Sequence, residues 1–446
     1  MSDLDRITDL VLDRIQHHAP GAEAVVAVGH DRHGLARFAN SFVHQHVGDE
    51  RIEVTLKIAL GGRVLSAGTS NPDDDALDGF IAAVAEQVAL LPVDPHWAGV
   101  APPQELPEHS GADASTWDAG PDDRARQVRA FIDAGEGLQA AGYVDTSATD
   151  LLVATSAGQV AAGRSTRATV DGIQQTGTSA GFGHQTSPRF ADLDGGAVGA
   201  GAADLARRCE HTTDVEPGEY EVVLSPDCVA EVLASLGLYG FNAKEHLEGQ
   251  SFAVLGEAQF DQAVHLVDDA TDPRAVGFPF DAEGTPKQST TLIDHGVTAS
   301  LCHDRRTAAR SGTTSTGHAV PGGEAWGTFP EHLFLTAGDT APADLIAGVD
   351  RGLLVTSLNY VRILDPKTQV STGLTRNGTF LIEDGEVTRP VSTLRFTQSF
   401  VQALGPGNVV ALGNDARFGA CESGEGLVHA PSVRLGSFRF TGGAAG

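Results

Sequence analysis

The apolar residues change period twice within the first ninety positions, and that change restricts what the chain can fold into. Leu4, Ile7, Leu10, Val11 and Ile15 recur every three or four residues, the spacing of one helix face. Ser2 or Asp3 supplies a capping oxygen in front of them. Ile52, Val54, Leu56 and Ile58 then alternate with mostly polar neighbours, the two-residue period of a half-buried strand. Gly61-Gly62 turns that strand into residues 63–68. Leu77, Phe80, Ile81, Val84 and Val88 restore helical spacing over residues 73–91. With a further strand at 24–28, the opening unit reads as helix, meandering antiparallel sheet, helix.

A connection rich in Pro, Gly, Asp and His follows at 94–121, then a helix over 122–141 and strands at 143–148, 151–155 and 164–174. The Gly-, Ala- and Ser-rich stretch 176–203 reads as a loop leading to a helix that ends near His211. Pro217-Gly218 punctuates the chain before an apolar strand at 220–224. Beyond it lie short strands (352–357, 378–383, 391–398, 432–440) separated by glycine turns and interrupted by helices at 227–238, 304–311 and 342–350. No internal repeat of fixed period is visible. Runs of strands with occasional helices predict an α+β fold: antiparallel sheets with flanking helices in two domains, an N-terminal α+β domain over 1–215 and a C-terminal β-rich domain over 216–446.

Acidic residues number 59 against 30 basic ones, a net charge of −29, and only Lys57, Lys244, Lys287 and Lys367 are lysines. A field of that size self-repels in dilute buffer, whereas at 1 M salt the Debye length falls to about 3 Å. The composition therefore points to a halophilic cytoplasm. The rival reading, an acidic patch for a cationic partner, calls for a block of acids, and these are spread over the whole chain. The same charge argues against nucleic-acid binding. No run of 18 apolar residues offers a membrane span. The start Ser2-Asp3-Leu4-Asp5 has no basic region before an apolar core, so the expected location is cytoplasmic. Cys209, Cys228, Cys302 and Cys421 lie far apart with no CxxC, which predicts free thiols.

Chemistry-bearing motifs are scarce. A zinc peptidase helix carries two histidines about one turn apart with a glutamate beside the first, the imidazoles binding the metal and the carboxylate activating water. None of the seventeen histidines is followed by glutamate. His44-Gln45-His46 has the spacing of one strand face, and Glu245-His246-Leu247-Glu248 is rich in ligand atoms but reads as a solvated loop. There is no GxSxG elbow. The stretch Gly312-Thr313-Thr314-Ser315-Thr316-Gly317 lacks the lysine of a phosphate-binding loop, and Gly181-Phe182-Gly183-His184 falls short of a dinucleotide fingerprint.

Several segments read together carry more. Asp281-Ala282-Glu283-Gly284, Leu292-Ile293-Asp294-His295-Gly296, Arg306-Thr307-Ala308 and Ser315-Thr316-Gly317-His318-Ala319 follow in order. After them come Phe380-Leu381-Ile382-Glu383-Asp384-Gly385, Gly413-Asn414-Asp415 and Pro431-Ser432-Val433. The series resembles the TldD/PmbA family over nearly the whole chain. The Ser-Thr-Gly-His-Ala stretch is similar to that of the PmbA (TldE) branch, although Ala309 stands where that branch has arginine. In the TldD branch an HExxxH helix and a C-terminal cysteine hold zinc. Alignment on the family places Ala234–Tyr239 over that motif and Cys421 near the cysteine.

The resemblance implies a heterodimer with a TldD-like, zinc-bearing homologue that hydrolyses unfolded or extended peptides inside an enclosed cavity. This chain would be the non-catalytic partner, with no metal or cofactor of its own and zinc in the other subunit. It assigns no catalytic residue; candidate cavity or interface residues are His44, His46, Glu283 and His318. Two other readings stay open: an independent hydrolase with a rearranged metal site drawing on His246, His318 or Cys421, and a peptide-binding protein without a peptidase partner.

Overall fold

The computed structural model describes residues 2–109 and 111–443. Its first helix, α1 (Asp3–His18), is closed by a capping box in which the Ser2 hydroxyl accepts from the Asp5 amide and the Asp5 carboxylate accepts from Ser2. Three antiparallel strands follow, β1 (Glu23–Ala39), β2 (Phe42–Leu60) and β3 (Arg63–Thr69), then α2 (Asp74–Val88). The expected helical faces meet the alternating strand face: Leu4, Ile7, Val11 and Ile15 pack with Leu77, Ile81 and Val84 over Val26, Val28, Val54, Leu56 and Ile58.

The pattern then recurs. After a one-turn helix α3 (Ala114–Trp117) come α4 (Pro121–Asp133), β4 (Gln139–Thr155), β5 (Val160–Gln175), β6 (Ala180–Ser187) and α5 (Gly195–Arg208). Helix, three-strand meander, helix is thus built twice, with corresponding elements about 120 residues apart. The two meanders join back to back along β1 and β4 in a six-stranded antiparallel sheet of order β3-β2-β1-β4-β5-β6.

Three expectations are corrected here. The helix read over 122–141 stops at Asp133, because Glu136 and Gly137 take positive φ (50° and 94°) and turn the chain into β4. The two strands read at 143–148 and 151–155 are one continuous strand. The loop read over 176–203 contains β6 and most of α5. Its glycines are there for packing: a Cβ on Gly181 would lie 2.0 Å from the Ala202 carbonyl oxygen, and one on Gly183 2.6 Å from that of Val198. Gly181→Ala should therefore lower stability by about 1–3 kcal/mol or more by overpacking. Gly177→Ala, whose added carbon meets nothing within 4 Å, should be near neutral when both variants are compared with the parent by urea titration.

From β7 (Gly218–Leu224) and α6 (Pro226–Tyr239) onward the chain builds two further sheets. One has nine strands around β7 and the C-terminal strand Val433–Gly443; the other has six, including Leu266–Asp268, Thr290–Asp294, Leu333–Leu335 and Arg417–Phe418. The antiparallel rule has two exceptions: β7 runs parallel to Arg351–Val355, and Leu333–Leu335 parallel to Val428–Ala430. Helix α6 is buried in the core between them, with Leu233, Ala234 and Leu236 beside Phe241, Leu333 and Leu353. The segment around His246, read as a loop, is a short helix, Ala243–Leu247.

The face of the N-terminal sheet turned away from its helices meets this second half. Val25, Val153 and Ala161 pack against Phe280, and Gly163 leaves the room that ring occupies. Polar contacts line the same seam: Gln159 donates to the Gly284 carbonyl (2.9 Å), Arg305 to those of Gly99 and Ala98 (3.1 and 3.3 Å), and Arg306 pairs with Asp94 (3.0 Å).

Candidate functional site at the seam

One rung of the N-terminal sheet carries three polar side chains toward the second half. Tyr143 on β4 pairs with Asp171 on β5, which pairs with His184 on β6. Directly opposed residues share a face, so the three project together. They meet Glu425, in the loop between Phe418 and Val428. The Tyr143 hydroxyl donates to Glu425 (2.9 Å); His184 Nδ1 lies 3.0 Å from Asp171 and its Nε2 3.4 Å from Glu425. The His184 side chain is wholly buried. Burial alone would push its imidazolium down, but the hydrogen bond to Asp171 and the charges of Glu425 and Asp171 outweigh that and hold it above the ordinary histidine range.

The same loop rests on the first turns of α6. Asp227 takes two bonds from the Arg417 guanidinium (3.0 and 2.6 Å) and a third from the Ala420 amide (2.9 Å). Glu231, one turn on, accepts from the Glu422 amide (2.7 Å). Burial pushes the Glu231 carboxyl up to about 7 and the Cys421 thiol up to about 12. Perturbed titratable groups gathered in this way mark a functional-site candidate.

Alignment on the family places Ala234–Tyr239 over the zinc motif and Cys421 near the zinc-binding cysteine; in the structure these positions do not meet. Ala234 and Leu236 are core residues and Gly237 packs on Pro330, whereas the α6 residues that meet the cysteine's loop are Asp227 and Glu231. This donor set does not fit a peptidase zinc. Both Asp227 oxygens are held by Arg417, the thiol resists ionisation, and that face of α6 offers no imidazole.

The residues singled out from sequence are not brought together. His44 and His46 lie exposed near the start of β2, His46 beside a cleft of about 560 Å³ lined also by Arg32, His33, Trp117 and Arg124. Glu283 is buried at the seam, 3.4 Å from Lys57, which also pairs with Glu324 at 2.8 Å. Burial raises the Glu283 carboxyl, Lys57 opposing; that of Asp281, behind it, reaches about 7, mainly through burial. His318 is fully buried with its nitrogens on Asp268 (2.9 Å) and Thr316 (2.8 Å), which leaves neither for a metal. Sequence reasoning passed over Tyr143, Asp171, His184, Asp227, Glu231, Arg417 and Glu425. Their one local cue was His184 at the end of a Gly-Phe-Gly run, and its partners lie up to 241 residues away.

The model of the PmbA/TldA metallopeptidase C-terminal domain matches residues 217–442. The chain belongs to the PmbA/TldD family. A metalloprotease of Methanothermobacter thermautotrophicus is 27% identical over 233 residues, 50% of this chain and 49% of that protein. The metalloprotease TldD homolog of Buchnera aphidicola is 24% identical over 233 residues, 49% of this chain and 47% of its own length. The matched stretches thus span about half the length of these relatives. The fold resembles that of TldE from Thermococcus kodakarensis, with TM-score 0.88 at 18% identity over 99% of this chain and 100% of the other. A Thermotoga maritima chain gives 0.85 at 16% over 98% and 100%. As a PmbA/TldD-family member the chain is metallopeptidase-like. Among the described residues no helix is long and apolar enough to cross a membrane.

Proposed function

We propose that this chain is the non-catalytic partner of a TldD-like, HExxxH-bearing homologue, and that the pair acts in a salt-rich cytoplasm on unfolded or extended peptides. The observation that carries the reading is the donor set at the head of α6. Where the cysteine loop meets that helix stand an aspartate locked to arginine and a glutamate whose carboxyl burial raises to about 7, a set without the two imidazoles that hold a peptidase zinc. The division into units at 1–215 and 216–446 belongs to the same reading.

A second feature supports the peptide half. Strand β3 pairs with β2 only from Val54 to Leu60, so residues 42–53 have no strand partner on that side among the described residues. The stretch carries His44 and His46 and exposes Phe42 and Val43. An open edge binds extended backbone through main-chain hydrogen bonds with little demand on side chains.

Casein hydrolysis in molar salt tests it, with the chain alone, the homologue alone and the mixture. Cleavage is expected in the mixture, with no turnover by this chain by itself. Cleavage by the isolated chain at a rate comparable to the mixture would place an active site among residues assigned here to structure and overturn the reading.

A further inference from the structure

A cluster of metal-ligating side chains lies away from the seam, at the turn between Thr290–Asp294 and Val297–Thr298. We propose that His265, Asp294 and His295 form a surface site for one divalent transition-metal ion of the zinc class. The sheet dictates the juxtaposition. Leu266 pairs with Ile293, so His265 and Asp294, one residue beyond on either strand, face each other at the strand ends. His295 and Gly296 form the two-residue turn that follows, both at positive φ (45° and 89°). The turn is fixed in place: Gly296 donates to the Val264 carbonyl and accepts from the Phe260 amide, both at 2.9 Å. It therefore presents His295 from a rigid base beside His265, their ring centroids 4.7 Å apart and nearly parallel.

Two observations point to a ligand and not to an ordinary ion pair. His265 Nδ1 approaches the Asp294 carboxylate to 3.3 Å, yet that nitrogen is buried and makes no aligned hydrogen bond. Two atoms each about 2.0–2.1 Å from one tetrahedral ion sit about 3.3 Å apart, so the pair has the separation of co-ligands. The second is that the fixed turn brings a further imidazole beside that pair, the His295 ring centroid lying 4.7 Å from that of His265. One ligand atom from each of the three residues lies within 4.8 Å of the others.

Two imidazoles and one carboxylate select zinc, nickel or copper over magnesium and calcium, which take oxygen ligands. Asp294 and His295 are exposed, so solvent completes the coordination and affinity falls in the micromolar range. Leu266–Asp268 and Thr290–Asp294 lie toward one edge of their sheet, while Arg417–Phe418, leading into the seam loop, closes the other. The site is thus independent of the seam and of the proposed partner role.

The test uses the full chain, stripped with EDTA, desalted and titrated with ZnCl2 against a chromophoric chelator in molar KCl with millimolar MgCl2. One equivalent of zinc should bind, and cobalt(II) in its place should give a visible absorption band. His295→Asn, which suits the turn, and His265→Ala should each weaken binding at least tenfold, with near-ultraviolet dichroism unchanged. His211→Asn, at an exposed histidine elsewhere, should bind as the parent does. Absence of saturable zinc binding in the parent, or unchanged affinity in a folded His295→Asn chain, overturns the proposal. Casein cleavage by the mixture should be equal for parent and His295→Asn, which keeps this test separate from that of the partner role.

Discussion

Raising KCl from 0.1 to 2 M should raise the thermal unfolding midpoint by about 10 °C or more, a gain of several kcal/mol at the few degrees per kcal/mol usual for domains of this size. The cause is the net charge of −29. At 0.1 M the Debye length is about 10 Å and neighbouring surface acids repel across solvent; at 1 M it is about 3 Å and they do not. Opposing this, salt weakens surface ion pairs such as Arg6–Asp74 and Arg164–Asp150. Exposed pairs contribute about 0–1 kcal/mol each, and the acids outnumber their basic partners two to one. A midpoint that is flat or falls with salt would show that repulsion does not govern stability, and would return the acidic surface to the rival reading of a face for a cationic partner.

The second large effect is expected at the seam. His184→Gln should destabilise the fold by about 3–5 kcal/mol, the usual result of removing one member of a buried charged cluster, because Asp171 and Glu425 are left facing each other without the imidazolium. The pH dependence supplies a sharper readout. A histidine whose folded pKa is raised contributes stability that is fully present below its unfolded value, near 6.5, and is lost as pH rises through the folded value. Four charged or titratable groups face this ring: Asp171 on β5, Tyr143 on β4, Glu425 on the loop and Asp227 on α6. Glu231 and Asp281, both raised to about 7, act in the same sense but over a lower range of pH. Each loses stability as pH rises from the usual carboxylate range through about 7, a slope that dies away within about a unit above it and is common to parent and variant. Urea unfolding between pH 7 and 9 at fixed salt should therefore show the parent losing stability and His184→Gln losing clearly less. Parallel curves would mean that the ring is neutral and the triad only a hydrogen-bonded one.

Much of the local structure was legible because local rules govern it. The 3.6-residue period located α1 and α2, and alternation with Gly61-Gly62 located the β2–β3 hairpin. The extents of β1 and β2 were not legible. Residues 29–33 and 42–53 are partly or wholly exposed, so neither face imposes an apolar pattern on them. The glycines of β6 misled for a different reason: they look like turn residues, but at Gly181 and Gly183 the missing Cβ is what admits α5. Family motifs located Glu283 and His318 in the sequence, and both proved to be buried in polar networks. The triad of Asp171, His184 and Glu425 assembles only when two halves of the chain pack, and no spacing in the sequence encodes that.

The doubled architecture of the N-terminal sheet bears on how the chain reaches its native state. Within each meander every strand pairs with its neighbour in sequence, so those contacts close short loops and can form early. The two meanders meet only along β1 and β4, where partners such as Val28 and Leu152 are more than a hundred residues apart. Nearly all the loop-closure entropy of the sheet is concentrated in that one docking event, after which the rung carrying Tyr143, Asp171 and His184 stands ready for the second half to cover it.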